Sequence, residues 1–276
     1  MLSRPERRNA MTPGMWRGLA AVGSGLIALA RDAGPSAAPD ASPSAAPAAG
    51  PSAAPAAGAS RGRDGHAGRR VRVVVIRGEG PSFSSGIDLR LLSAEGLPGE
   101  APIPGAGDPA FEDWVAQCQA GFTWLRDPAI VSVAAVHGHA IGAGFQLALA
   151  CDLRVMAHDA KLCMKEPALG LVPDLTGTKP LVDIVGLPRA LEICLTSRVI
   201  GASEAAQLRL AELVVPATEL GQAVADLTAA LLAADPAAAR ATKALLASAS
   251  GRTLEQQAAA ERQAQAALQR QRLGPA

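Results

Sequence analysis

The stretch of residues 164–178 (MKEPALGLVPDLTGT) is apolar except for a few residues, and Glu166 stands in it just before Pro167. A carboxylate in such surroundings is costly unless it is paired or put to use. A carboxyl group held there can take a proton from carbon and give it back, although an ordinary loop charge is an equal reading. Asp174, between Pro173 and Leu175, is a second acid, and it could equally be an Asx-type cap. Upstream, residues 139–146 (HAIGAGFQ) form a turn that is almost free of side chains and leads straight into a helix. Glycine and alanine there let a ligand approach the backbone, and a helix start turns unpaired N–H groups toward it. Such donors suit a developing oxyanion. A tight strand–helix joint is the competing reading, because glycine-spaced turns are common. The turn at residues 84–88 (SSGID) can supply a further N–H, from Ile87.

These residues need a frame. Residues 71–77 (VRVVVIR) and 130–136 are β-branched runs and predict strands, the second one buried. A helix is expected at about 109–126, stopped by Asp127-Pro128, and a small-residue helix at 143–150 follows the turn 137–142. Another strand is expected at 152–157. Strand, turn, helix and strand in succession argue for an α/β layered fold. From Leu187 onward the pattern reads as almost wholly helical. Ser203 is expected to cap one helix, Leu220, Val224, Leu227 and Leu231 stripe another, and Thr253 with Gln256 makes a capping box. Near the start, Met15, Leu19, Val22, Leu26 and Leu29 recur at helical spacing behind Thr12-Pro13. The basic start, the apolar run and the Pro/Ala/Ser tract after it also resemble an export signal with a linker. The helical stripe, and a run too short to span a bilayer, favour a packed amphipathic helix. The unit PSAAPAAG stands in tandem at 43–50 and 51–58, and residues 34–70 are expected to form a disordered insertion.

Four motifs in order carry a family resemblance. They are residues 4–10 (RPERRNA), residues 83–89 (FSSGIDL), residues 140–148 followed by Cys151-Asp152-Leu153-Arg154, and residues 166–178. Together they resemble the crotonase superfamily, the enoyl-CoA hydratase/isomerase group. The resemblance implies an α/β fold, a crotonase-like ββα spiral with a helical C-terminal region, assembled as a homo-oligomer, a trimer or a hexamer. It divides the chain into residues 1–33 as the first part of the core, the insertion, a catalytic spiral at 71–200 and a helical region at 201–276. It implies an acyl-CoA thioester as substrate, with its oxygen between the backbone N–H groups of Ile87 and Ala143. Ser85 and Leu89 would meet the adenine of coenzyme A, and Arg8 its phosphates. No further cofactor is implied, since coenzyme A is part of the substrate.

One departure matters. Hydratases of the group carry a second catalytic glutamate where this chain has Gln146. Glutamine can orient water or a thioester but cannot exchange a proton near neutral pH. Glu166 remains as the base, with Asp174 as a possible helper and Gln146 as a hydrogen-bonding partner. The expectation is therefore double-bond isomerisation through Glu166. Hydration, with Gln146 holding the water, is second, and a silent acyl-CoA binder is third. The resemblance also implies a strand ahead of Leu2, so its near absence points to a late start or a lost strand. Loop 91–110 and the helix at 109–126 are expected to wall the pocket.

Composition narrows the rest. Basic residues number 26 and acidic ones 25, which gives no attraction for nucleic acid. Cys118, Cys151, Cys163 and Cys194 are scattered and read as buried thiols of a cytoplasmic protein. His137 and His139 flank Gly138 with no third ligand, so no metal site is expected. No membrane segment is expected.

Overall fold

A computed structural model describes residues 1–31, 70–93, 96–105 and 107–273. Apart from Arg70, the expected insertion at 34–70 lies outside the described residues. In chain order the elements are α1 (Pro13–Arg31), β1 (Val73–Arg77), α2 (Ala110–Thr123), β2 (Val131–Val136), β3 (His139–Ile141), α3 (Ala143–Ala150), β4 (Leu153–Ala157) and β5 (Lys161–Cys163). They continue with α4 (Thr178–Thr196), β6 (Ile200–Gly201), α5 (Ala202–Gln207), β7 (Leu213–Val215), α6 (Leu220–Ala233), α7 (Pro236–Ser248) and α8 (Leu254–Leu273).

The strands make two sheets. One runs β1-β2-β4-β7 with every pair parallel, and the other runs β3-β5-β6. Each passage of the chain gives a strand to the first sheet, a strand to the second, and then a helix. β2, β3 and α3 form one such turn, and β4, β5 and α4 form the next. The turn before them has β1, then Ser84 bridged in parallel to Ala140, then α2. This is the expected ββα spiral. β2 is buried from Ser132 to Val136, as a central parallel strand covered on both faces should be.

The β-branched runs became β1 and β2, and the small-residue helix became α3 over the expected residues. Thr12 Oγ1 accepts from the Met15 N–H at 3.2 Å, and Thr253 and Gln256 exchange the two bonds of a capping box. Four expectations need correction. The turn 137–142 contains β3, which β5 holds in register (Ala140 opposite Leu162). The region after Leu187 contains β6 and β7, and β7 closes the edge of the parallel sheet. Ser203 lies inside α5 rather than at its cap, which is Gly201. On α1 the buried face is Trp16, Gly23 and Ala30, while Val22 and Leu29 are exposed.

The last correction has a steric reason. α1 lies hard against α2 and the turn that follows it. A methyl group built on Gly23 would be 2.4 Å from the Trp124 ring, and one on Gly121 would be 2.7 Å from the Trp16 carbonyl. Small residues set the closest approach, and of the expected stripe Met15 and Leu19 pack on the core beside them. At the N-terminus Leu2 is buried and pairs with Gly78, donating to Arg77 O and accepting from Glu79 N at 2.8 Å each. A one-residue bridge stands where the resemblance implies a strand.

The C-terminal helices attach through few points. Leu220, Val224, Leu227 and Leu231 of α6 pack on Val133, Ala135 and Val155 of the sheet. From α7, Lys243 Nζ donates to Asp127 O at 2.9 Å, Ile130 O at 2.7 Å and Asp152 Oδ2 at 2.6 Å. Asp152 also accepts from the Ser132 N–H and hydroxyl. Among the described residues no helix is long and apolar enough to cross a membrane. Cys118, Cys151 and Cys163 are buried free thiols and Cys194 is half-buried, and burial pushes Cys151 up to about 12.

Candidate active site

Two turns meet on the wall of a cavity of about 650 Å³. The first is tied to the N-terminal motif. Met11 N donates to Gly86 O at 2.7 Å, and Asp88 N donates to Met11 O at 2.9 Å. Backbone groups alternate along an extended segment. The residues either side of Ile87 therefore spend their groups on Met11, and the Ile87 N–H points away from Met11; Ile87 is one of the residues that line the cavity. Gly86 has φ +91°, which favours glycine, and it leaves room for the second turn. A methyl group there would lie 2.6 Å from Ile141 O and 3.6 Å from Ala143 N.

The second turn follows from β3. Ser84 N donates to His139 O at 2.8 Å and Ile141 N donates to Ser84 O at 3.0 Å, which stitches the two turns together. Gly142 N donates to Cys163 O, and Gly142 takes φ +51°. Ala143 is then the first residue of α3, and its N–H belongs to the unpaired set at a helix start. Among the described residues neither Ile87 N nor Ala143 N has an acceptor, and both residues line the cavity.

Glu166 opens a helical turn just after β5, with Pro167 next and Gly170 ending the turn in the left-handed region. Its residue surface is 8% exposed. Oε1 accepts from Gln146 Nε2 at 2.7 Å, while Oε2 is buried and has no partner among the described residues. A methyl group on Gly142 would come within 3.1 Å of Oε1, so the carboxyl group sits directly against the Gly142 turn. Burial pushes the Glu166 carboxyl above the usual carboxylate range; the nearby Asp174 charge adds to this, and the Gln146 bond opposes it. Asp174 also lines the cavity, and burial raises it as well.

Gln146 is not on the cavity wall. It is fully buried in α3, and its Oε1 accepts from Leu175 N at 2.8 Å and Gly177 N at 3.1 Å while its Nε2 holds Glu166. Both ends of the amide are engaged with protein, which speaks against the alternative in which Gln146 holds a water. Ser85 and Leu89 line the cavity. Arg8 does not, but its carbonyl accepts from Ser85 N at 2.9 Å, which puts it on the rim beside that turn. His137 and His139 bond to Gly80 O and to the Ser82 hydroxyl, away from the cavity.

Sequence reasoning missed two contributors. Gln119 lines the cavity and donates from Nε2 to Asp174 O at 2.7 Å, fixing the loop that carries this acid. Trp16 lines it from α1. Nothing in the sequence singles out Gln119. Trp16 could have been found only by rotating the buried face of α1 away from its leucines.

An enoyl-CoA hydratase/isomerase family model matches residues 66–273. The chain belongs to that family. Its structure resembles that of a candidate enoyl-CoA hydratase from Thermobifida fusca YX in complex with acetoacetyl-CoA. The TM-score is 0.80 with 49% identity, covering 98% of this chain and 90% of that one. The peroxisomal Delta(3,5)-Delta(2,4)-dienoyl-CoA isomerase of Arabidopsis thaliana is 34% identical over 178 residues, 64% of each chain. The carnitinyl-CoA dehydratase of Salmonella typhi is 37% identical over 176 residues, 63% of this chain and 62% of that one. The chain thus spans less than two thirds of the length of these two relatives. These relatives carry names of different reactions, so membership gives the fold and leaves the reaction to be read from the residues at the site.

Proposed function

We propose that this chain isomerises enoyl-CoA thioesters, with Glu166 as the proton shuttle. The thioester oxygen lies between the N–H groups of Ile87 and Ala143. Glu166 Oε2 takes a proton from the carbon beside the carbonyl, and the electron pair moves onto the oxygen as an enolate. The same carboxyl group then returns the proton further along the conjugated system, moving the double bond. Two preorganised donors favour the enolate by several kcal/mol, since loss of one costs about 2.7–4 kcal/mol. No atom is added or lost, and coenzyme A enters only as part of the substrate.

The observation that carries this reading is the asymmetry of Glu166, with one oxygen held by Gln146 and the other free. A relative 49% identical, solved with acetoacetyl-CoA, supports the thioester substrate. Hydration is the second reading. What favours it is Asp174, a second carboxyl group on the same cavity, since Gln146 is committed elsewhere. Exposed Leu187, Leu191 and Leu195, four residues apart on α4, support self-association of the chain; a trimer or hexamer in the cytoplasm is our reading from the family resemblance alone.

Incubation of the purified protein with 3-enoyl and 2-enoyl thioesters tests the proposal. Products are identified by mass and by the ultraviolet band of the conjugated thioester. Migration of a 3-enoyl double bond is expected to exceed hydration of the 2-enoyl substrate. Faster hydration would overturn the isomerase reading.

A further inference from the structure

Part of the cavity wall is unusually aromatic for this chain. The sequence has only three tryptophans, four phenylalanines and no tyrosine. Of these, Trp16, Phe111 and Trp114 all line this one cavity. Phe111, Trp114 and Cys118 lie along one face of α2 at helical spacing, and Trp16 meets them from α1. The Trp114 ring packs edge-on to Trp16 at 6.3 Å and stacked with Phe111 at 6.1 Å. Aliphatic residues, including Leu171 and Leu175, also line the cavity.

Charge on the lining points the same way. Among the described residues the only cation there is Lys165, which is exposed beside Glu166. The α2 wall adds Glu112, and Asp174 faces the same space. A carboxylate at the tail of an acyl group would meet Glu112 and Asp174 as like charges, with only the exposed Lys165 to offset them among the described residues, which is a costly arrangement. The aromatic rings pack on one another rather than splaying around a vacant centre, so they do not make a cage for a quaternary ammonium group.

We propose that the acyl group this chain selects is a long uncharged hydrocarbon chain, laid along the Trp16–Phe111–Trp114 wall. This rests on the thioester reading above and specifies its substrate class. A short acyl group would leave much of the aromatic wall uncovered. Each methylene placed on that wall is expected to tighten binding by up to about fourfold.

Calorimetric binding of saturated thioesters tests this without needing turnover. Decanoyl-CoA is expected to bind at least about a hundredfold more tightly than butyryl-CoA. Glutaryl-CoA, of similar length to butyryl-CoA but with a terminal carboxylate, is expected to bind more weakly than either. Trp114→Ala and Phe111→Ala should each shrink the decanoyl-to-butyryl ratio by about tenfold or more, with helix content checked by circular dichroism. Equal affinities for decanoyl-CoA and butyryl-CoA would overturn the inference. So would tighter binding of glutaryl-CoA or of a trimethylammonium-bearing acyl thioester, or an unchanged ratio in both folded variants. Decanoyl selectivity without any turnover would sink the catalytic reading and leave the substrate class standing. Turnover confined to short thioesters would do the reverse.

Discussion

At the residue scale, Glu166 is a carboxyl group kept dry and half-satisfied. The folded state raises the proton affinity of Glu166 through burial. Between the unfolded and the folded values the native protein binds more protons than the unfolded chain, so this group's contribution to stability falls as pH rises through that window. Glu166→Gln removes that penalty. Its expected result is a loss of turnover of about a hundredfold or more, together with a higher Tm at neutral pH, read by kinetics and thermal denaturation. Gln146→Glu tests the positioning role. Its Oε1 would still accept from the Leu175 and Gly177 amides, but the donor facing Glu166 Oε1 would become a second carboxyl oxygen. Like charges at that distance share a proton. The acidic limb of the pH–rate profile is therefore expected to move to higher pH by about one unit or more. An unshifted profile would show that Gln146 does not set the ionisation of Glu166. The sequence shows that Gln146 is not a glutamate. It does not show which way its amide faces, because its partners lie far along the chain and meet it only in the folded protein.

At the scale of elements, the donors are as good as the turns that present them. Gly142 has φ +51°, and any side chain there would also press on Glu166. Gly142→Ala is expected to lower kcat by about a hundredfold or more, with a smaller effect on thioester affinity, measured by steady-state kinetics beside calorimetry. The helix that carries Ala143 was legible because an apolar strand, a glycine turn and a small-residue run follow one another. β3, β6 and β7 were not legible. Strands of two or three residues carry no periodicity, and they exist because a neighbouring strand offers its free edge, as β5 does for β3. α1 was legible as a helix, but its face was not. Only the first part of the stripe, Met15 and Leu19, packs on the core; further along, Gly23 and Gly121 set the contact by close approach, and Val22 and Leu29 are exposed.

At the scale of the whole molecule, the spiral brings motifs far apart in sequence onto one cavity, and their order along the chain was enough to expect the fold. How the C-terminal helices are fastened was not readable, because Lys243 reaches carbonyls of residues that no pattern links to α7. Lys243→Ala leaves Asp152 and those carbonyls under-satisfied. It is expected to cost about 1–3 kcal/mol and to lower Tm by several degrees in a thermal melt. A melt matching the wild type would assign the fastening to the α6 stripe instead. The claim that joins all three scales is that two backbone amides and the free oxygen of Glu166 act on one thioester. Exchange of the hydrogen beside the carbonyl of a bound saturated thioester in deuterated water, followed by mass, reports this without needing a double bond. The account predicts steady incorporation of deuterium by the wild type and its loss in Glu166→Gln at saturating ligand. Incorporation at the wild-type rate in the variant would contradict it.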